Sequence, residues 1–323
     1  MKKVSNIFIL LVILTTTLFS ETVTPKLDIG GTVRAKVEYL LESDSTSFVV
    51  RNARFKMEGI VNENFGYKVE VDLSDNGQIK MLDAYVKWSA MENLSFFMGQ
   101  MKVPFSIDHY RSPHELAFSN RSFLSKYVSN EMRDIGFAVD YKFDIGIPMQ
   151  IQSGIFNGEG TNKYIRSDHK YYLGRLRFQP LDVLEVTGAY AFGQLNKNDN
   201  KMFNTGLHYK KNNLNIEAEY VKRFTDSTIS YDIDSYFIFA QYHIPVENLP
   251  IKYITPGIRY EDYIVTKPTP YSDFNISRWT AGLTFSFGKL NSSSIRINYE
   301  DYNYNRIVDK KEDKFTIEFM SKF

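Results

Sequence analysis

A transmembrane antiparallel β-barrel of about sixteen strands is the fold class that the sequence predicts. Three observations predict it: an export signal at the N terminus, apolar–polar alternation through most of the chain, and connections that alternate between short and long. The composition agrees, because 22 Tyr and 25 Phe occur in a chain whose mean hydropathy is still −0.32. Membrane barrels combine many aromatics with a polar average, since half of each strand faces water.

The export signal occupies residues 1–20. Lys2 and Lys3 precede an apolar run from Ile7 to Leu14, then Thr15–Thr17 and the small residue Ser20. That order is a secretory signal, and the run is shorter than the roughly 20 residues a spanning helix needs. The expected layout is a cleaved segment 1–20 and a barrel domain 21–323. The chain has no cysteine, so it cannot carry a lipid anchor and needs no disulfides in an oxidising compartment. Removing residues 1–20 deletes two lysines and no acids, so 39 basic residues become 37 against 38 acids. A nucleic-acid partner would call for a basic excess.

Alternation starts at Leu27. In Ile135–Phe143, one face reads Ile, Phe, Val, Tyr, Phe and the other reads Gly, Ala, Asp, Lys. Leu214–Tyr220 sets Leu, Ile, Ala and Tyr against Asn215, Glu217 and Glu219, and Ser235–Ile244, Arg278–Phe287, Ser294–Tyr299 and Phe315–Phe323 are read the same way. Runs of about ten residues suit membrane-crossing strands, whereas soluble strands are nearer five or six. Short connections are expected at 62–64, 91–93, 144–146, 179–182, 211–213, 246–250 and 289–293. Longer ones are expected at 42–46, 74–78, 103–132, 157–169, 195–201, 225–234, 265–274 and 307–314. Eight long and seven short connections give sixteen strands. A barrel of that size can leave an open aqueous channel.

The connection 103–132 is far longer than the rest, with helix-compatible pieces at His114–Phe118 and Phe123–Tyr127. Loops of that length in a compact domain are usually functional, and this one is expected to fold inward and narrow the barrel. It adds Lys102, Arg111, Arg121, Lys126 and Arg133 against three acids. On the expected lumen wall, Arg54 with Lys56 and Arg175 with Arg177 share faces without an intervening acid. Guanidinium and ammonium groups so placed favour anions. The other charges there (among them Arg34, Lys36, Glu70, Glu219, Arg259, Glu261, Arg278 and Glu300) are of mixed sign and suit cross-strand pairing. Five histidines sit in no nucleophile motif, and no Gly-rich phosphate loop or metal-spaced His/Cys group occurs, so neither catalysis, a cofactor nor a metal is expected.

Specific residues also resemble a known family. Phe48–Gly59, with Leu82–Val86, Gly99–Phe105, Asn120–Ser122, Arg133–Gly136 and Ala218–Arg223, is similar to the phosphate-selective porin O/P family, most densely over residues 48–140. The resemblance implies a sixteen-stranded porin with a basic constriction, commonly a homotrimer. It also implies an anion-contacting role for the second-strand pair, which here is Arg51-Asn52 where phosphate-binding members have two arginines. A family lysine on the long loop is replaced near His114, and the later arginine ladder has no counterpart in Leu195–Lys201. The expectation is therefore a diffusion porin for small hydrophilic solutes with a weak anion preference, held in outer-membrane lipid. A barrel with a closed lumen, serving as an adhesin or structural protein, is the alternative. Phe319 and Phe323, on the apolar face of a last strand ending in an aromatic, are the expected signal to the barrel-assembly machinery.

Overall fold

The computed structural model describes residues 26–75, 78–128, 133–163, 166, 168–227, 230–247, 249–267, 273–304 and 312–323. The expected signal segment 1–20 lies outside them. The strands are β1 (Lys26–Leu40), β2 (Ser45–Ile60), β3 (Phe65–Asp75), β4 (Gln78–Met91), β5 (Leu94–Lys102), β6 (Arg133–Asp144), β7 (Pro148–Phe156), β8 (Tyr171–Leu181) and β9 (Leu184–Leu195). They continue with β10 (Asn198–Lys211), β11 (Leu214–Asp226), β12 (Tyr231–Tyr242), β13 (Ile244–Pro245), β14 (Tyr253–Thr266), β15 (Phe274–Ser286), β16 (Ser293–Tyr304) and β17 (Lys314–Lys322). Every neighbouring pair is antiparallel, and β1 pairs with both β2 and β17, which closes the sheet. The two-residue β13 merely continues β12 past His243, since both pair with β14. The barrel therefore has sixteen crossing strands.

Its burial is inverted relative to a soluble sandwich. Along β11, Glu217 and Glu219 are buried while Tyr220 and Phe224 are exposed. Along β16, Arg296 and Glu300 are buried and Tyr299 is exposed. Only a barrel that turns its apolar face to lipid makes that pattern favourable. Outward aromatics adjoin one another on the barrel's exterior, as side chains suited to a membrane interface do. Tyr236, Tyr260 and Trp279 adjoin, with ring centroids 6.2 and 4.8 Å apart, while Trp88, Phe96 and Phe137 adjoin at 5.2 and 5.9 Å.

Two expectations need correction. The connection read as Leu195–Lys201 is a two-residue turn, because Leu195 pairs with Asn198 and β10 already starts there. Asn196 and Lys197 both take positive φ, 50° and 66°, as a tight hairpin turn requires. Asp75 likewise pairs with Gln78, so long and short connections do not alternate throughout. The second correction concerns Ser235–Ile244, where Tyr236–Ala240 is apolar on both faces. Phe237 and Phe239 point away from Tyr236 and Ile238 and are buried, while Tyr236 and Ile238 are exposed.

The long connection supplies the reason. Val103, Phe105, Phe118, Leu124 and Val128 are all at most 2% exposed and cluster with Leu173, Met202, Val221, Phe237 and Phe239 of the strands. Each such side chain contributes about 1.5–3 kcal/mol by leaving water. The segment is shaped locally by caps. Ser106 accepts from His109 N at 3.1 Å to start the turn Ile107–Tyr110, and Ser122 accepts from Ser125 N at 3.1 Å before the turn Leu124–Val128. Pro113, with a capping box between Ser112 and Glu115, starts the short turn Pro113–Glu115.

Candidate functional site: the lumen and its charges

Residues 103–128 are held by the polar side chains of β1, β11, β12, β14, β15 and β16, which divide the work by chemistry. Carboxylates and an amide accept from the segment's donors. Glu219 accepts from Ile107 N at 2.8 Å and Asp108 N at 3.2 Å, Glu261 from Phe123 N at 2.5 Å, and Asn298 from Ser119 N at 2.8 Å. Cations and an amide donate to its carbonyls. Arg34 reaches Ser119 at 2.5 Å, Gln241 reaches Ala117 at 2.9 Å, and Arg296 reaches His114 at 2.9 Å. Arg259 reaches Asn120 at 3.1 Å and Arg278 reaches Arg121 at 2.9 Å. Those wall charges are also paired with one another. Arg278 contacts Glu261 at 2.5 Å and Glu300 at 3.0 Å, while Arg34 and Arg296 share Glu318 at 2.6 and 3.1 Å. Buried charges of this kind need partners, and the segment's backbone supplies several of them.

The basic residues singled out from the sequence fall into three groups. Paired with acids are Arg54 (Glu70 at 3.4 Å, Asp72 at 3.1 Å), Lys56 (Glu58, and Asp28 at 3.6 Å), Arg133 (Asp83 at 2.8 Å) and Arg177 (Glu185 at 3.6 Å). Arg111 joins them, with both terminal nitrogens on Glu217. The absence of an acid along the strand thus did not leave Arg54 and Lys56 unpaired, because the acids come from adjacent strands and from Glu58.

Lys102 and Arg121 form the second group, brought together as staples of the segment. Lys102 donates to the carbonyls of Tyr110 at 2.9 Å and Arg111 at 3.0 Å, and Arg121 donates to those of Asp108 and Arg111. Both thus cap the carbonyl end of the turn Ile107–Tyr110, where a cation is favoured. Burial pushes the Arg121 guanidinium down to about 10, against Asp108. Burial also opposes the charge on Arg111, but Glu217 outweighs it and raises that group above its ordinary value.

The remaining four stand apart. Arg51 is the extra residue of a β-bulge, where Arg34 pairs with Asn52 and Ala35 with Val50, and it is exposed. Its neighbour Asn52 bridges Arg34 at 3.2 Å and Asp72 at 2.9 Å, so a second arginine there would face Arg34. Lys126 lies against Tyr127, its ammonium 4.7 Å from the ring centre. His114 meets Thr32 at 3.3 Å, and burial pushes its imidazole down to about 4. Arg175 meets Gln152 at 3.4 Å and stacks on Tyr110 at 5.5 Å, with no carboxylate at ion-pair distance among the described residues. Phe319 and Phe323 are exposed, and Phe323 exchanges backbone hydrogen bonds with Gly31 at 2.9 and 3.2 Å across the β1–β17 seam.

Sequence reasoning passed over Asp83, which binds both Lys68 (2.7 Å) and Arg133, and Glu318, the shared partner of Arg34 and Arg296. Glu318 was legible from the alternation Phe315, Ile317, Phe319, which leaves it on the opposite face. Asp83 lies beside a register shift between Glu70 and Val71 that breaks simple counting.

Open space remains on both sides of the segment. Toward the short turns, a cavity of about 580 Å³ is lined by Arg111, Arg175, Arg177, Lys210 and Arg296, with Glu115 and Glu185 as its acids. A smaller one of about 290 Å³ has Arg54, Lys56, Lys68 and Lys322 against Glu58, Glu70 and Glu115. Toward the long connections, about 640 Å³ is bounded by Lys126, Lys163, Lys197 and Arg223 with Glu159.

A closed sixteen-stranded barrel with an apolar outside and a charged, cavity-bearing lumen defines an outer-membrane porin. The family model described as phosphate-selective porin O and P matches residues 27–241. The chain belongs to that family. Its fold is similar to OmpTΔL8, a loop-deletion mutant of the outer membrane protein OmpT of Vibrio cholerae, at 14% identity and a TM-score of 0.71 over 93% of this chain and 99% of that one. It is also similar to the anion-selective porin from Comamonas acidovorans, at 11% identity and a TM-score of 0.68 over 93% and 100%. The outer membrane channel DcaP of Acinetobacter baumannii gives 13% and 0.64 over 94% and 99%. No curated protein matches the chain.

Proposed function

We propose that this porin is a non-catalytic diffusion channel with a weak anion preference, narrowed by residues 103–128 and lacking a tight phosphate site. The observation that carries the reading is the basic excess of the larger space on either side of that segment: five basic residues against two acids in the short-turn chamber, and four against one toward the long connections. Charges at a wet wall are screened over about 8–10 Å at physiological salt, so only those crowded near a narrowing steer ions. The excess is modest and most candidates are already paired, which supports a bias and not a trap. A tight oxyanion site needs several cations converging without acids. Here Asn52 replaces one candidate, and Lys102 and Arg121 are spent on backbone carbonyls.

Reversal potentials in a potassium chloride gradient across a planar bilayer test this. Chloride is expected to be slightly favoured, and less so as salt rises. A cation preference would overturn the reading, and current blocked by micromolar phosphate would overturn the absence of a tight site. A homotrimer belongs to the same proposal, in keeping with the family and with a trimer form of OmpT of Vibrio cholerae. So do cleavage after Ser20 and a role for Phe319 and Phe323 in recognition by the assembly machinery.

A further inference from the structure

We infer that the 580 Å³ chamber on the short-turn side is a transit binding site for organic carboxylates with an apolar body, with Arg175 taking the carboxylate. The inference rests on the channel reading and names a solute class for it. The volume is within the range of about 300–1,000 Å³ typical of small-molecule sites.

Arg175 differs from the other buried arginines of the wall. Arg34, Arg133, Arg259, Arg278 and Arg296 each hold a carboxylate within 3.1 Å. Arg175 is as buried, at 7% exposure, yet has no acid at ion-pair distance among the described residues, and its Nε has no hydrogen-bond partner. A desolvated guanidinium without a counter-charge is unfavourable, and an anion from the lumen would relieve it. The Tyr110 ring fixes one face of the group and Gln152 meets its Nη1 at 3.4 Å, so a planar, two-oxygen acceptor would approach the guanidinium from the chamber it lines. Arg177 follows two residues later on the same face of β8, and the nearby Glu185 is already engaged with it at 3.6 Å. The other acid, Glu115, accepts from Ser112 N at 2.9 Å.

The rest of the chamber specifies more than charge. Ile107, Leu116, Ala117 and Phe239 form an apolar side. Among the other lining residues, Arg296 Nε and Ser294 Oγ are also buried without partners. A bare inorganic oxyanion would use the guanidinium and ignore the apolar wall. A carboxylate attached to a ring or branched chain would use both.

The test uses the full-length protein in planar bilayers, with benzoate, acetate, benzamide and inorganic phosphate as probes. Millimolar benzoate should lower the potassium chloride current, acetate should need at least a tenfold higher concentration, and benzamide should do nothing. Arg175→Gln should raise the half-blocking benzoate concentration at least tenfold. Benzamide, acetate or phosphate acting as strongly as benzoate would overturn the inference, as would an unchanged benzoate response in the variant. Should the variant not fold, the wild-type comparison of the four probes decides alone. Wild-type channels that open but ignore benzoate remove only this inference, whereas wild-type protein that forms no channels removes the porin reading itself.

Discussion

The lumen wall has two halves built from the same residue types and used differently. From β11 through β17 and into β1, arginines and carboxylates bind the backbone of residues 103–128 as well as each other. From β2 through β8, they bind mainly each other: Arg54 with Glu70 and Asp72, Lys68 with Glu70 and Asp83, Arg133 with Asp83. The first half behaves as a protein core, with its charged side chains almost wholly buried. The second is the wetter of the two, with Arg54 and Lys68 side chains 15% and 20% accessible, although Arg133 and Asp83 are buried there. On the proposed reading, a charge on the gripping half acts on the shape of the pore, and a charge on the open half acts on the ions within it.

The largest expected effect breaks the gripping half. Glu261 is fully buried and serves Phe123 N, Arg278 and Arg259 at once. Removing one partner from a buried pair costs about 3–5 kcal/mol, because the remaining charge is stranded. Glu261→Ala should loosen residues 118–124, at least double single-channel conductance and increase open-channel noise. The heat-modifiable band on a gel checks that the barrel still forms. Unaltered conductance in a folded variant would show that the segment does not narrow the pore.

The open half should respond in the opposite way. Arg54→Gln leaves Glu70 and Asp72 with less positive charge nearby. Conductance and folded fraction should stay near wild type while the chloride-to-potassium permeability ratio falls about twofold, since lumen charges set selectivity at short range. A change in conductance as large as that of Glu261→Ala would erase the distinction between the halves.

That distinction was only partly legible in the sequence. The strands were legible because period two is imposed on every residue of a barrel by lipid on one side and water on the other. The length of 103–132 marked it as unusual, but its seat was written elsewhere, in the stretch Tyr236–Ala240. Apolar residues on both faces of a strand mean that both faces are covered, and there the cover is Phe118 against Phe239, with ring centres 6.0 Å apart. What the basic candidates touch depends on cross-strand register and on backbone carbonyls, which residue spacing does not encode. Lys102 and Arg121 look like anion ligands in a sequence and act as caps in the fold. Arg51 was displaced by a bulge, which a strict alternation count cannot register.

The smallest expected effect concerns His114, where the gripping half meets the open lumen. Its imidazole lies against Thr32 of β1, and its carbonyl accepts from Arg296 of β16. Burial first, then Lys322 and Arg296, hold it down to about 4, against the pull of Glu115. The folded-state value thus lies below the ordinary value of about 6.5, so the neutral form is the one that fits the seated segment. Whatever stability this contributes is fully present above pH 6.5 and is lost as pH falls toward 4. Between pH 7.5 and 5.5 the group stays neutral, so reversal potentials of wild type and His114→Asn should shift in parallel. Near pH 4 the wild-type channel should become noisier than the variant, because only the wild type must charge a buried ring. If instead wild-type selectivity moves toward anions between pH 7.5 and 5.5 while the variant stays fixed, the imidazole is titrating in open water. His114 would then belong to the ion path, and the boundary between the two halves would lie on the other side of it.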